Sequence, residues 1–263
     1  MELNLKGKTA VVMASSKGLG KAVAEELAHE GATVVISSRT RGHAEQAGEE
    51  IRKTSGNPNV HAYECNMADA DDIRKLFKEV GSRFGGVDIL INNTGGPKAG
   101  GFHATADGDW QMAFETNLLS YIRTSREALF FMEKQQYGRI VNITSSSVKE
   151  VIDNLILSNT FRAGLVGFTK TLAREAASHG VLVNAVGPGK IATDRVAELD
   201  GKAAERENLS VSEITSRSQR AIPIGRYGQP AEFAKVVVFL ASGANNYLTG
   251  QSLVVDGGML KAL

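Results

Sequence analysis

The chain has 263 residues, with 30 basic and 29 acidic side chains, 42% hydrophobic residues and one cysteine. That gives one α/β domain over residues 1–263 ample apolar material for a core, and the near-neutral charge excludes an electrostatic footprint for nucleic acid or a membrane surface. No apolar run reaches membrane-spanning length, residues 1–6 lack a signal-type apolar core, and Cys65 has no internal disulfide partner; a cytoplasmic protein with a small-molecule partner is expected.

In chain order, the first apolar run, residues 9–13, has the pattern of a strand buried on both faces. It turns through Ser15, Ser16, Lys17 and Gly18 into a helix whose apolar positions are Leu19, Ala22, Val23 and Leu27. Further strand-like runs lie at 33–37, 60–65, 87–92, 139–144, 181–186 and 252–255. Helical patterns cover 18–30, 41–54, 70–84, 107–134, 155–179 and 230–241. Seven strands alternating with helices imply an α/β fold, a doubly wound parallel sheet covered on both faces. Residues 195–220 fall outside the alternation, with both charges and few apolar side chains. They read as a helical lid over a site at the carboxyl ends of the strands, the alternative being a solvated helical excursion. Cys65, beside a strand, reads as a small core residue.

A strand, a tight turn of small residues and a helix start make an anion cradle, because the first backbone N–H groups of the helix point outward and its dipole favours negative charge. Gly18 and Gly20 leave room for a phosphate and for close helix–strand packing. The second strand ends in Ser37-Ser38-Arg39, with no acid to accept from a ribose 2′-hydroxyl. Arg39 offers a planar fork of donors suited to a 2′-phosphate, Lys17 adds a cation on the same side, and the hydroxyls of Ser37 and Ser38 can donate as well. An exposed arginine at a strand end is common; at this spacing from the glycine turn it indicates NADP(H) as the cofactor.

These segments together resemble the short-chain dehydrogenase/reductase family over essentially the full length, and its 3-oxoacyl-ACP-reductase-like members in particular. Ala14 to Gly20 resembles the family's glycine motif, with Ala14 where its first glycine usually sits. Asn92-Asn93-Thr94-Gly95 resembles its Asn-Asn-Ala-Gly segment, and residues 140–145 resemble its fifth strand with the catalytic serine at Ser145. Asn117 stands where the family carries an asparagine within a helix. Residues 184–193, with Pro188, Gly189, Ile191 and Thr193, resemble the nicotinamide-side loop. Thr249-Gly250-Gln251 and Val255 to Gly258 resemble the C-terminal strand and turn. The resemblance implies a Rossmann fold, a cofactor site of Ser15, Ser16, Lys17, Gly18, Leu19, Gly20, Arg39, Asn66, Met67, Asn93, Thr94, Gly95, Pro188, Gly189, Ile191 and Thr193, and a carbonyl or alcohol substrate. Asn66 replaces the usual aspartate that meets the adenine amino group, and its amide oxygen can still accept that bond. The resemblance also implies a homotetramer, built on the helices at 107–134 and 155–179 and on the C-terminal segment. Those helices carry surplus apolar side chains, Phe130, Phe131, Leu165, Phe168 and Leu172 among them.

One departure governs the functional reading. The family's tyrosine belongs thirteen residues after Ser145, with a lysine four further on, and those positions hold Ser158 and Arg162. A phenol lowered by a nearby cation suits proton donation to a nascent alkoxide, whereas a serine hydroxyl is a far weaker acid and an arginine keeps its proton at any working pH. Ser145 can polarise a substrate oxygen, and Ser146, Ser147, Lys98, Lys149 and His103 lie on loops expected near the same mouth. The candidate catalytic set is therefore Asn117, Ser145, Ser158 and Arg162. The expected function is hydride transfer between NADP(H) and a carbonyl or alcohol with an atypical proton donor. The alternative is a catalytically weak or silent NADP(H)-binding protein or sensor.

Overall fold

The computed structural model describes residues 1–262. Seven strands form one parallel sheet: β1 (Thr9–Val12), β2 (Thr33–Ser38), β3 (Val60–Glu64), β4 (Ile89–Asn92), β5 (Gly138–Ile143), β6 (Val181–Pro188) and β7 (Ser252–Val255). Their spatial order is β3-β2-β1-β4-β5-β6-β7, so the winding reverses between β1 and β4. A crevice opens outside the carboxyl ends at such a point, and there ligands bind in open α/β sheets. The chain is Rossmann-like, as the alternation implied.

Helices α1 (Gly18–His29), α2 (Arg41–Ser55) and α3 (Ala70–Phe84) follow the first three strands. β1, β4 and β5 are buried along their whole length, because helices cover both faces. One core cluster joins Val23 and Leu27 of α1 and Ile51 of α2 to Phe233 and Val237 of α9 (Pro230–Ala241) across Val12, Ile36, Ile89 and Ile91. The other joins Ile73, Leu76, Phe77 and Val80 of α3 to Tyr121, Ala128, Leu165 and Ala173 across Val11, Leu90 and Ile140. Cys65 is 2% exposed within this second cluster, a core residue as its setting suggested.

The helix expected over 107–134 is three pieces. α4 (Asp107–Phe114) and α5 (Ser120–Gln135) are joined by a π-helical turn, Glu115–Leu119. Hydroxyls loosen the helix here: Thr116 Oγ1 donates to Met112 O at 2.7 Å and Ser120 Oγ to Thr116 O at 2.7 Å. Such single-turn bulges arise where a side chain must be re-aimed. The pattern over 155–179 is α6 (Ile156–Ala176) closed by a 3-10 turn, Ala177–His179. Residues 195–220 form two helices, α7 (Asp194–Glu207) and α8 (Val211–Arg220), which part at Asn208 with φ +52° and restart on a Ser210–Glu213 capping box.

Candidate active site

The glycine turn is fastened from below. Ser15 Oγ donates to Val12 O at 2.7 Å and accepts from Ser37 N at 3.1 Å, while Ser15 N reaches Ser37 O at 2.8 Å. Ala14 N donates to Ser37 Oγ at 3.0 Å. Ser15 and Ser37 are 0% and 1% exposed, so they shape the turn, and Ser37 offers no hydroxyl to a phosphate beyond the strand. Ala14 takes φ +46°, a left-handed conformation that costs an L-residue energy. A Cβ on Gly20 would lie 2.6 Å from Asn93 Nδ2 and 3.0 Å from Ala14 O, so only glycine lets α1 start this close to β4. Asn93 returns the contact, donating to Ala14 O at 3.0 Å; its side chain ties β4 to the turn.

Around the cradle rim, Lys17 and Arg39 are exposed and Gly18 has φ +60° with open space where a side chain would be. Lys17 Nζ lies 3.9 Å from Asp194 Oδ2 with both groups in solvent, a pair too loose to hold the lysine back from a stronger anion. Asn66 is exposed, and its Oδ1 accepts from Ala68 N at 3.2 Å, which leaves one lone pair. The Met67 side chain is 5% exposed and belongs to the core. On the opposite side, Gly189 N donates to Val255 O at 2.9 Å. Ile191 is buried and bridges to Gly228, Pro188 ends β6, and Thr193 caps α7 by accepting from Val196 N at 3.5 Å.

Asn117, Ser145 and Arg162 meet at the ends of β4 and β5, and Ser158 lies one turn from Arg162 on α6. The π turn aims Asn117, 1% exposed, at the β4 end, where Nδ2 donates to Thr94 Oγ1 and to Gly95 O, both at 2.8 Å. Ser145 follows β5, and its Oγ accepts from Ser147 N at 3.1 Å, which leaves the hydroxyl hydrogen free to donate. Ser158 and Arg162 lie on one face of α6, 8% and 5% exposed. Arg162 Nη1 donates to Tyr121 Oη at 2.8 Å and to Ile143 O at 2.9 Å, and Nη2 donates to Thr94 Oγ1 at 3.3 Å. Tyr121 Oη donates to the same Ile143 O at 2.9 Å.

Two partners escaped sequence reasoning. Tyr121, fully buried, is one helical turn beyond Asn117, and that spacing is the only signal the sequence held. Arg195, in the first turn of α7, donates from Nη2 to Pro97 O at 2.7 Å and so crosses from the 195–220 segment to the loop after β4. Lys98 is engaged by Asp109 at 2.7 Å, and His103 and Lys149 are exposed, so none of these loop groups is drawn inward. Among the described residues no cluster of His, Cys, Asp and Glu could hold a metal ion, and no helix is long and apolar enough to cross a membrane.

A doubly wound sheet with a glycine turn at its switch point and a polar cluster beyond β4 and β5 has the architecture of dinucleotide-binding folds. A family model described as enoyl-(acyl carrier protein) reductase matches residues 13–260. The 3-oxoacyl-[acyl-carrier-protein] reductase FabG of Aquifex aeolicus is 40% identical over 261 residues, which is 98% of this chain and 100% of the relative. Among solved structures, the L-sorbose reductase of Gluconobacter frateurii, complexed with NADPH and L-sorbose, superposes with a TM-score of 0.93 at 30% identity over 100% of both chains. An actinorhodin polyketide ketoreductase with NADPH gives a TM-score of 0.92 at 33% identity over 96% of this chain and 97% of that one. The chain belongs to the short-chain dehydrogenase/reductase family and is by family an oxidoreductase.

Proposed function

We propose that the protein transfers a hydride between NADP(H) and a carbonyl or alcohol substrate, with a proton donor other than the family's phenol. The observation that carries this reading is a fitted cofactor cradle beside a site whose tyrosine and lysine positions hold Ser158 and Arg162 on the inward face of α6. The backbone of the turn and the N-terminus of α1 would take the pyrophosphate, and Lys17 and Arg39 a 2′-phosphate. Solved relatives at 30% and 33% identity bind NADPH. Pro188, Gly189, Ile191 and Thr193 line the nicotinamide side, and Arg162 Nη2, beside Thr94, is the donor for a ribose hydroxyl. NADPH supplies the hydride when bound.

The chain's own groups do the rest. Ser145, with its oxygen already accepting from Ser147 N, donates to the substrate oxygen and stabilises charge there. Ser158 faces the same oxygen and orders a water, the immediate proton source, because the short side chain leaves room in a polar site. The segment α7–α8 acts as a lid, with Arg195 holding its first turn to the loop after β4.

The second reading, a silent NADP(H)-binding protein, draws on the same Ser158 and Arg162, which leave the family's phenol and lysine positions without either group. Titrating the protein with NADPH and NADH, then following nicotinamide absorbance over a carbonyl panel, separates them. Micromolar NADPH binding with turnover supports the enzyme. Binding without turnover on any carbonyl supports the silent protein, and no nucleotide binding removes both.

A further inference from the structure

Arg162 is a buried cation whose contacts are all neutral. Its acceptors are one backbone carbonyl, Ile143 O, and two hydroxyls, Tyr121 Oη and Thr94 Oγ1. Both hydroxyls are shared, since Tyr121 Oη gives its hydrogen to the same carbonyl and Thr94 Oγ1 already takes the Asn117 amide. A second buried guanidinium shows how this fold satisfies such a group without an acid. Arg139, 6% exposed, donates to four backbone carbonyls, those of Ser242, Asn245, Gly138 and Gly180. Arg139 also stands at the start of β5, at the far end of the sheet from the site. Arg162 has fewer and poorer acceptors, and it stands at the ligand end.

A guanidinium has five N–H donors, with Nε and Nη2 on one edge of its plane. Three protein contacts leave Nε–H and one Nη2–H uncommitted. The orphaned buried polar atoms of the described residues are Tyr137 Oη, Thr144 Oγ1, Ser147 Oγ and Ser252 Oγ. Arg162 Nε is not among them, so it is not wholly sealed off from solvent. A ribose hydroxyl takes that Nη2–H but brings no negative charge, and Nε–H remains. Buried charges in proteins are paired, and a charge-assisted bond from Nε–H to a carboxylate supplies the pairing.

We propose that the substrate is anionic, and that its carboxylate, close to the reacting carbon, is the counter-ion of Arg162. Ser158 lies one helical turn from Arg162 on the same buried face of α6, so the carboxylate is placed at the Nε edge of the guanidinium beside it. This rests on the oxidoreductase reading only in calling the anion a substrate; the anion site itself stands on the geometry of Arg162.

The test is calorimetric titration of the NADP⁺-loaded protein with pyruvate and benzoate against their neutral mates, pyruvamide and benzamide. Each carboxylate should bind at least tenfold more tightly than its amide, and the gap should narrow with added salt. Arg162→Lys, which keeps the charge, should retain the preference, and Arg162→Gln, which keeps hydrogen bonding, should lose it; circular dichroism checks that both fold. Equal binding of acid and amide, no binding of either, or a preference that survives Arg162→Gln overturns the inference. A protein that binds no NADP(H) fails the functional reading separately, and the same titrations on the cofactor-free protein then decide the anion site alone.

Discussion

The proposed cofactor choice and chemistry rest on single side chains. Arg39 follows β2, exposed and with no acid beside it in sequence, so in the proposed NADP(H) site its removal should act on the 2′-phosphate alone. Arg39→Ala is expected to weaken NADPH by at least tenfold, about 1.4 kcal/mol, and to leave NADH nearly unchanged; equal losses for both nucleotides would remove Arg39 from the phosphate site. Cys65 makes a different prediction. Burial, with Asp72 and Asp69 adding to it, pushes its thiol from 9.0 up to about 12. The folded chain therefore keeps a proton that the unfolded chain gives up, so this thiol's contribution to stability is whole below pH 9.0 and is lost as pH rises toward about 12. Cys65→Ala should flatten that part of the stability profile, and native Cys65 should resist thiol reagents at pH 9.0. Unaltered alkaline behaviour in the variant would show that the thiol has no part in it. At this scale the sequence was readable where a residue acts through its own neighbours, as in the glycine turn. It was silent where a partner is distant: Arg162 meets Tyr121 across 41 residues, and Ser15 meets Ser37 across 22.

Elements are joined by a buried polar network as well as by apolar contact. Asn92 on β4 donates to Asn142 Oδ1 on β5 at 2.9 Å and to Ser125 Oγ on α5 at 3.1 Å, and Asn142 Nδ2 donates to Thr169 Oγ1 on α6 at 2.8 Å. All four side chains are 0–1% exposed. Replacing Asn142 with Leu strips partners from both Asn92 and Thr169, and each orphaned group costs about 1–3 kcal/mol. Urea unfolding should therefore show a loss of about 2 kcal/mol or more, and an unchanged midpoint would mean that the network contributes nothing. Strand and helix order was legible because two-sided burial makes apolar runs and one-sided burial makes helical stripes. The π turn at Glu115–Leu119 was not, since the 107–134 pattern keeps its helical period through it. Only the need of Asn117 to reach Thr94 and Gly95, a tertiary fact, explains the break.

For the whole molecule, the surface that α4, α5 and α6 present bears on assembly. Met112, Phe114 and Phe130 are 61%, 36% and 56% exposed, and Ala163, Gly164 and Gly167 give α6 a flat outer side. Leu165 is in the core, and Phe131, Phe168 and Leu172 pack against it, so these four do not supply the expected surplus. Tyr247, 94% exposed, with Leu248 and Leu253, forms a second apolar region near β7. We propose that each of these faces packs on its copy in another chain, an arrangement that would close into a dihedral tetramer. Light scattering should give four chains, Phe130→Glu should give smaller species, and a monomer at micromolar concentration would refute it. The central proposal is that this chain keeps the family's cofactor cradle but, with Ser158 and Arg162 in the tyrosine and lysine positions, has lost the efficient proton donor. The most direct measurement compares the natural protein with the double variant Ser158→Tyr, Arg162→Lys on simple ketones, following NADPH absorbance. Low natural activity and a gain of at least tenfold in the variant, about 1.4 kcal/mol of barrier, are expected, because a phenol beside an ammonium is the stronger acid. Fast turnover by the natural protein, destroyed by the double change, would contradict this and make Ser158 or a loop group a dedicated catalyst.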